Sequence, residues 1–232
     1  MNDRTALLLV GSAKPAGAST SEALGGYLLD RLAAHGYRTE TAHVHRVLRS
    51  ENRTAAFLEQ VAGAGIFVLA APLYVDGLPY LVVRALEIIA AQRPGQPAAD
   101  APWFLAIANC GFPEAHHNRT ALAICHEFAA EAGFRWAGGL ALGGGGALAG
   151  RPLAQAGGMV RHAIRALDLA AESLAAGQPL PEEAIAAMEQ PMMPARLYTL
   201  VGGLGWRMQA LRNGAFLRLG ATPLADGSEV SG

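Results

Sequence analysis

Short apolar runs alternate with helical segments along most of this chain, and this alternation constrains the fold more than any other feature of the sequence. The runs are rich in Val, Ile, Leu and Phe and are mostly bounded by Gly or Pro, which favours buried strands. The five predicted strands are Thr5–Val10, Tyr37–Val44, Ile66–Ala71, Trp103–Ala108 and Phe134–Leu142. The five predicted helices are Ser21–Ala34, Thr54–Ala62, Pro79–Ala91, Asn118–Ala132 and Leu153–Ala176. We expect an α/β protein with a three-layer, doubly wound, five-stranded parallel sheet.

Composition and charge exclude several classes of protein. The 232 residues include 18 Lys plus Arg and 19 Asp plus Glu, so a strongly basic surface for nucleic acid is absent. The opening apolar run is too short for a signal peptide, and no stretch offers about 20 apolar residues for a membrane span. Cys110 and Cys125 form neither a disulfide framework nor a zinc motif. We expect a cytoplasmic protein that binds neither nucleic acid nor a membrane.

The composition changes near Gln178, where the alternating pattern ends. We assign residues 1–178 to a first domain and residues 179–232 to a C-terminal extension with an apolar, helix-capable stretch. The extension is expected to form a lid over a ring-binding site, a dimer arm or a packed extra helix, and these three alternatives stay open. Its apolar side chains include Met192, Met193, Leu197, Leu200, Leu204 and Trp206.

A loop rich in hydroxyl groups joins the first strand to the first helix and indicates an anion site. The N-terminus of a helix offers unpaired N–H groups and the positive end of the helix dipole. Ligands of doubly wound sheets bind beyond the carboxyl ends of the strands. The alternative is an ordinary capped loop in which Ser19 or Thr20 serves only as the helix N-cap. The candidate phosphate donors are Ser12, Lys14, Ser19, Thr20 and Ser21.

Two further loops follow the third and fourth strands and should lie at the same edge of the sheet. Leu73 and Tyr74 offer a flat apolar wall for a ring. Backbone N–H groups near Gly111 offer donors for the carbonyl groups of that ring. For each loop the plainer alternative is a turn that connects a strand to the next helix.

These three loops together resemble the flavodoxin-like NAD(P)H-dependent FMN reductases. Gly11–Ser21 is similar to the phosphate loop of that family, Ala71-Pro72-Leu73-Tyr74 to its second loop, and Asn109-Cys110-Gly111 to its third loop. The resemblance covers about residues 5–175. One departure is that Thr20-Ser21 stands where the family commonly has Asn-Thr, which keeps the hydroxyls and loses an amide.

The resemblance implies strand order 2-1-3-4-5, non-covalently bound FMN and NAD(P)H as co-substrate. It implies a homodimeric oxidoreductase that passes hydride or electrons to a small acceptor such as a quinone, a nitro or azo compound, a flavin or a metal ion. The flavin supplies the chemistry, so no catalytic acid–base residue and no bound metal are expected. The phosphate would bind the five donors named above, and the isoalloxazine ring would lie between Pro72, Leu73, Tyr74 and Val75 on one side and Asn109, Cys110, Gly111 and Phe112 on the other.

Several alternatives remain beside this interpretation. Gly144–Ala149 matches the GxGxxA dinucleotide fingerprint, with Asp168 about 20 residues further on. Because this segment follows the last predicted strand, a flexible Gly-rich loop near the ring or substrate is the favoured interpretation. Cys110 with His116 is a conceivable nucleophile and base. His116, His117 and His126 are conceivable metal ligands. An electron carrier and a flavodoxin-fold protein without flavin are the two remaining functional alternatives.

Overall fold

A computed structural model describes residues 4–93, 95, 100–148 and 150–221 of the chain. Its centre is a five-stranded, fully parallel sheet in the order β2-β1-β3-β4-β5, which confirms the predicted doubly wound architecture and strand order. The strands are β1 Thr5–Val10, β2 Arg38–His43, β3 Ile66–Pro72, β4 Trp103–Asn109 and β5 Arg135–Leu142.

Eight α-helices connect or follow the strands within the described residues. They are α1 Thr20–Ala34, α2 Val44–Val47, α3 Glu51–Gly63, α4 Tyr80–Gln92, α5 Arg119–Glu131, α6 Arg161–Ala175, α7 Glu182–Glu189 and α8 Ala195–Arg212. Short 3₁₀ turns occupy Ala115–Asn118, Gly145–Ala147, Leu153–Gln155, Gly157–Val160 and Phe216–Arg218. Most predicted elements therefore lie within a few residues of the observed bounds.

The sheet separates two apolar cores, because alternate residues of each central strand point to opposite faces. Leu8, Val68 and Leu105 belong to the core beneath α1 and α6. Phe67 and Phe104 belong to the other core, beneath α3, α4 and α5, and their rings stack with centroids 5.4 Å apart. Burial on both faces explains why these strands are continuously apolar rather than alternating.

The predicted helix Leu153–Ala176 is wrong in its first third, residues 153–160. The α-helix begins only at Arg161, and two 3₁₀ turns precede it. Gly157 adopts a φ of 63°, a left-handed conformation that interrupts a right-handed helix. The apolar residues whose spacing predicted one long helix lie partly in the 3₁₀ turns and partly in α6.

The chain divides into two compact units, residues 1–192 and residues 193–232. The boundary therefore lies beyond the predicted one after residue 178. Residues 179–192 join the first unit because α7 packs against α6 and β5, with Met188 and Leu180 buried in the core beneath α1 and α6. Leu180 N also donates a hydrogen bond to Ala137 O of β5.

The second unit consists of α8 and the 3₁₀ turn Phe216–Arg218 within its described residues. A cluster of large apolar side chains in this unit is exposed, including Leu200, Leu204 and Trp206. None of the helices described combines the length and apolarity needed to cross a lipid bilayer.

Met188→Ala should lower the free energy of unfolding by about 2–5 kcal/mol, because the truncated side chain leaves a cavity in a fully buried site. Urea unfolding followed by circular dichroism measures this change. Leu217→Ala is the matched control, since that side chain is 96% exposed and its loss should change stability by less than about 0.5 kcal/mol. Equal effects of the two substitutions would contradict the inclusion of α7 in the first unit.

Candidate functional site at the carboxyl edge of the sheet

The ends of β1, β3 and β4 bring three loops to one edge of the sheet. In the register of the sheet, Val10 pairs with Ala70, and Pro72 pairs with Asn109. The chain leaves β1 through Gly11, where a Cβ atom would lie 2.6 Å from Val82 Cγ2 and 2.8 Å from Ala71 Cβ. Only glycine fits this close approach of β1 to α4 and β3.

The first loop ends in a helix cap that the sequence analysis did not fully identify. Ser19 is the N-cap of α1, and its Oγ accepts a hydrogen bond from Glu22 N. The Glu22 carboxylate accepts a 2.7 Å hydrogen bond from Gly17 N and lies 3.2 Å from His43 Nε2. The Ser-x-x-Glu spacing is typical of a capping box, but here the carboxylate accepts from Gly17 N instead of the N–H of the N-cap residue. A carboxylate therefore occupies one N–H group of the proposed phosphate loop.

The predicted phosphate donors divide into two groups. Thr20 Oγ1 donates to Gly145 O at 2.8 Å, and Ser21 Oγ donates to Asn109 Oδ1 at 2.7 Å. A hydroxyl group has one hydrogen to donate, so these two residues fasten loops together in this conformation. Ser12 and Ser19 only accept hydrogen bonds within the described part of the chain, from Lys14 N and Glu22 N. Lys14, two residues after Ser12 in the same loop, is exposed.

Asn109 connects all three loops at the end of β4. Its Oδ1 accepts the hydrogen bond from Ser21 of the first loop, and its backbone oxygen accepts a 2.8 Å hydrogen bond from Leu73 N of the second loop. The residue itself begins the third loop and is buried. The structure thus brings together the loops that the sequence placed at a common edge.

The second loop is a tight turn in a strained backbone conformation. Tyr74 N donates to Gly77 O, and Gly77 N donates to Tyr74 O, at 2.9 and 3.2 Å. Val75 and Asp76 have φ values of 49° and 58°, the left-handed pair of a type I′ turn. A β-branched residue rarely adopts this conformation. The turn leaves Tyr74 50% exposed and Val75 at its tip.

The third loop presents one aromatic ring and buries one thiol. Phe112 is 54% exposed, and its ring lies 4.4 Å from that of His117, which in turn lies 4.4 Å from the ring of His116. Cys110 is buried, and its Sγ lies within hydrogen-bond distance of Phe112 O and Glu114 O. The Phe112 ring is therefore half-exposed, whereas the Cys110 side chain faces the protein.

A glycine-rich loop after β5 packs against the first and third loops, and the sequence analysis did not predict these contacts. A Cβ at Gly143 would lie 2.1 Å from Pro113 O, and one at Gly150 would lie 2.4 Å from the carbonyl carbon of Ala18. A Cβ at Gly145 would lie 3.0 Å from Asn109 Nδ2. These glycines allow close packing against the first and third loops.

The contacts of Asp168 do not support the interpretation of Gly144–Ala149 as a dinucleotide-binding motif. Asp168, its proposed ribose-binding acid, forms a 2.9 Å ion pair with Arg31 and accepts a 2.9 Å hydrogen bond from the Tyr27 hydroxyl. Burial, followed by the hydrogen bond to Asp168, raises the pKa of Tyr27. Asp168 thus joins α6 to α1. Ala149, the last position of the fingerprint, lies outside the described residues.

The alternatives based on thiol or metal chemistry also lack the necessary geometry. Burial raises the pKa of the Cys110 thiol, which disfavours the thiolate needed for nucleophilic attack. The hydrogen-bond partners of its Sγ are backbone oxygens and the Asn118 side chain rather than an imidazole. Among the described residues no group of three or more His, Cys, Asp or Glu side chains is arranged to hold a metal ion.

Comparisons with known proteins give similarity of fold at low sequence identity. No family model and no curated protein matches the chain. The structure of RosB with bound 8-demethyl-8-formylriboflavin-5′-phosphate has a TM-score of 0.56 at 14% identity, over 90% of this chain and 87% of that one. A flavodoxin from Streptococcus pneumoniae TIGR4 has a TM-score of 0.50 at 15% identity, over 75% and 98% of the two chains.

A third solved structure is much longer than this protein. Rubredoxin oxygen:oxidoreductase from Desulfovibrio gigas has a TM-score of 0.53 at 12% identity, over 81% of this chain. The match spans only 37% of that enzyme. The fold of the present chain is therefore flavodoxin-like, in agreement with the resemblance of its three loops.

Both cysteines should resist alkylation in the folded protein. Burial raises the pKa of Cys110 and raises that of Cys125 to about 12, so both side chains remain thiols at pH 8. Iodoacetamide should therefore label neither cysteine in the native protein and both in the urea-unfolded protein, and intact mass spectrometry counts the labels. The rate of labelling should rise only as the pH approaches the raised pKa values. Rapid native labelling of Cys110 at pH 8 would revive the nucleophile interpretation.

Proposed function

We propose that this protein binds FMN at the carboxyl edge of the sheet and passes electrons from NAD(P)H through it to a small acceptor. The observation that carries the proposal is the pair of hydrogen bonds that Asn109 accepts, from Ser21 Oγ and from Leu73 N. These hydrogen bonds hold three loops together at the carboxyl ends of β1, β3 and β4. This edge is where doubly wound sheets bind their ligands.

The donor set at the start of α1 fits a terminal phosphate. Ser12 and Ser19 retain one hydroxyl hydrogen each, Lys14 supplies a positive charge, and the N-terminus of α1 supplies oriented N–H groups. Thr20 and Ser21 support this site indirectly, by fixing the loop to Gly145 and Asn109. Of the five predicted phosphate ligands, three are therefore proposed as direct donors and two as positioning residues.

The second and third loops offer flanks for a planar ring. Tyr74 and Phe112 are half-exposed aromatic residues on loops that are joined through Leu73 N and Asn109 O. Aromatic side chains contact flat heterocycles over a large area with few rotatable bonds. Bound FMN would supply the hydride and electron chemistry, while these residues orient the ring and exclude water from one side of it.

Two neighbouring folds support a redox flavin function. The RosB structure contains a riboflavin phosphate derivative, and the Desulfovibrio gigas protein is an oxidoreductase. A pure electron carrier is less well supported, because such proteins dock through strong charge complementarity and this chain has a net charge of only -1. The acceptor would be a small molecule such as a quinone, a nitro or azo compound, a flavin or a metal ion.

Lys14→Ala and Glu22→Gln should shift FMN affinity in opposite directions. Loss of the ammonium group should weaken FMN binding by about three- to tenfold. Glutamine keeps an oxygen that can accept from Gly17 N–H but removes the negative charge beside the proposed phosphate, so FMN should bind more tightly by a similar factor. Flavin fluorescence titration measures both changes.

Riboflavin is the matched control ligand, because it has the ring and lacks the phosphate. Its affinity should be unchanged in both variants. If the two variants alter FMN and riboflavin binding equally, the phosphate does not lie at this loop. Failure of the wild-type protein to bind either flavin would overturn the proposed function as a whole.

Anaerobic mixing with NADH or NADPH should bleach the flavin absorption band of the FMN-loaded protein directly. Stopped-flow spectroscopy measures the rate for each nucleotide. Reduction by an artificial donor such as dithionite serves as the control for a competent flavin. A protein that responds to dithionite and to neither nucleotide would be an electron carrier instead of a reductase.

A further inference from the structure

We infer that His43 is a positioning residue for the proposed anion site, and that it acts through Glu22 to make anion binding tighter when its imidazole ring is protonated. The inference rests on the proposed function, because the anion is the phosphate group of FMN at the start of α1. It adds to the site a residue of β2, a strand that none of the three loops follows.

His43 lies at the same edge of the sheet as the first loop. It is the last residue of β2, and in the register of the sheet it pairs with Val10, after which the first loop begins. The first four residues of this edge strand are exposed or half-buried, whereas His43 is buried. Buried polar groups are nearly always hydrogen-bonded, so the ring needs a partner inside the protein.

The partner of the ring is the Glu22 carboxylate in the first turn of α1. His43 Nε2 lies 3.2 Å from Glu22 Oε1, and the two side chains are only 10% and 22% exposed. The other carboxylate oxygen, Oε2, accepts the 2.7 Å hydrogen bond from Gly17 N. A continuous chain of polar contacts therefore runs from β2 through Glu22 to the first loop.

The protonation of His43 determines the net charge of this chain. A neutral imidazole leaves the negative charge of Glu22 uncompensated, whereas an imidazolium forms an ion pair with it whose net charge is zero. Charges of partly buried groups are screened less by salt than those on the open surface. A proton on His43 and a phosphate at the start of α1 should therefore favour each other's binding, as two linked ligands do.

The other charged or titratable groups around His43 lie on α2 and the first loop. The His45 ring lies edge-on to that of His43 with centroids 5.8 Å apart, and its buried Nδ1 has no hydrogen-bond partner within the described residues. Arg46 of α2 and Lys14 of the first loop are exposed. Arginine and lysine ordinarily keep their charge between about pH 6 and pH 8, whereas histidine titrates there. An experiment must therefore separate His43 from His45.

The phosphate group of FMN also titrates in this range. The second pKa of a phosphate monoester is about 6, so the affinity of any phosphate site for FMN depends on pH. This contribution belongs to the ligand and is the same for the wild type and for every variant. A comparison of the pH dependence between variants therefore isolates the contribution of the protein.

Flavin fluorescence titration of the full-length protein at about pH 8 and about pH 6 tests the inference. The measured quantity is the Kd for FMN at the higher pH divided by the Kd at the lower pH. His43→Gln keeps an amide that can donate to Glu22 and cannot become charged, so this ratio should be at least about threefold smaller than in the wild type.

Two further variants accompany this comparison. Glu22→Gln removes the carboxylate that stabilises the imidazolium, so it should also lower the ratio, and it serves as a second test if His43→Gln does not fold. His45→Gln is the matched control, because it removes the neighbouring imidazole and should keep the ratio of the wild type.

Equal ratios for the wild type and His43→Gln would overturn the inference and leave the FMN site in place. A His43→Gln variant that weakens FMN binding by the same factor at both pH values would do so too, because it would show a purely structural role. A ratio that falls as far in His45→Gln would assign the proton to His45 instead. Failure of the wild type to bind FMN at either pH would overturn the proposed function itself.

Discussion

The structure of the candidate site depends on the buried hydrogen bonds of Asn109. Its side chain and its backbone oxygen accept from Ser21 and Leu73, which lie on two different loops, at the point where β4 ends. An acceptor at this position would be costly to bury without its donors, so the loops are fixed relative to one another before any ligand arrives. The parallel sheet supplies the common edge, and this one residue determines how the loops meet there.

The start of α1 combines two electrostatic demands that oppose each other. The Glu22 carboxylate in the first turn stabilises the helix through the dipole and holds the loop through Gly17 N–H, while the N–H groups at this helix start are the proposed site of a phosphate. The two carboxylate oxygens of Glu22 contact different partners, because one accepts from Gly17 N and the other lies 3.2 Å from His43 Nε2. The Glu22 side chain therefore stabilises the loop without a ligand and is expected to lower the affinity of the same loop for an anion.

Much of the fold follows from local sequence patterns, whereas the hydrogen-bond partner of each residue in the candidate site does not. Apolar strand runs and helical periodicity, with the resemblance of the loops, were enough to predict the sheet and its strand order. The different tasks of Ser19 and Ser21 could not be predicted, because the partner of Ser21 is 88 residues away. Likewise, Gly145 formed part of a nucleotide motif in the sequence, and its close approach to Asn109 became visible only in the structure. The interruption of the predicted helix at Gly157 could not be predicted, because apolar residues continue at helical spacing on both sides of this glycine.

The left-handed turn at Val75 and Asp76 fixes where the second loop presents Tyr74. Two hydrogen bonds between Tyr74 and Gly77 close the turn, and its backbone has few other conformations available. The Tyr74 ring can therefore move only by rotation about its own side-chain bonds. An unfavourable φ at one valine in this way makes a surface loop a rigid support for its aromatic residue.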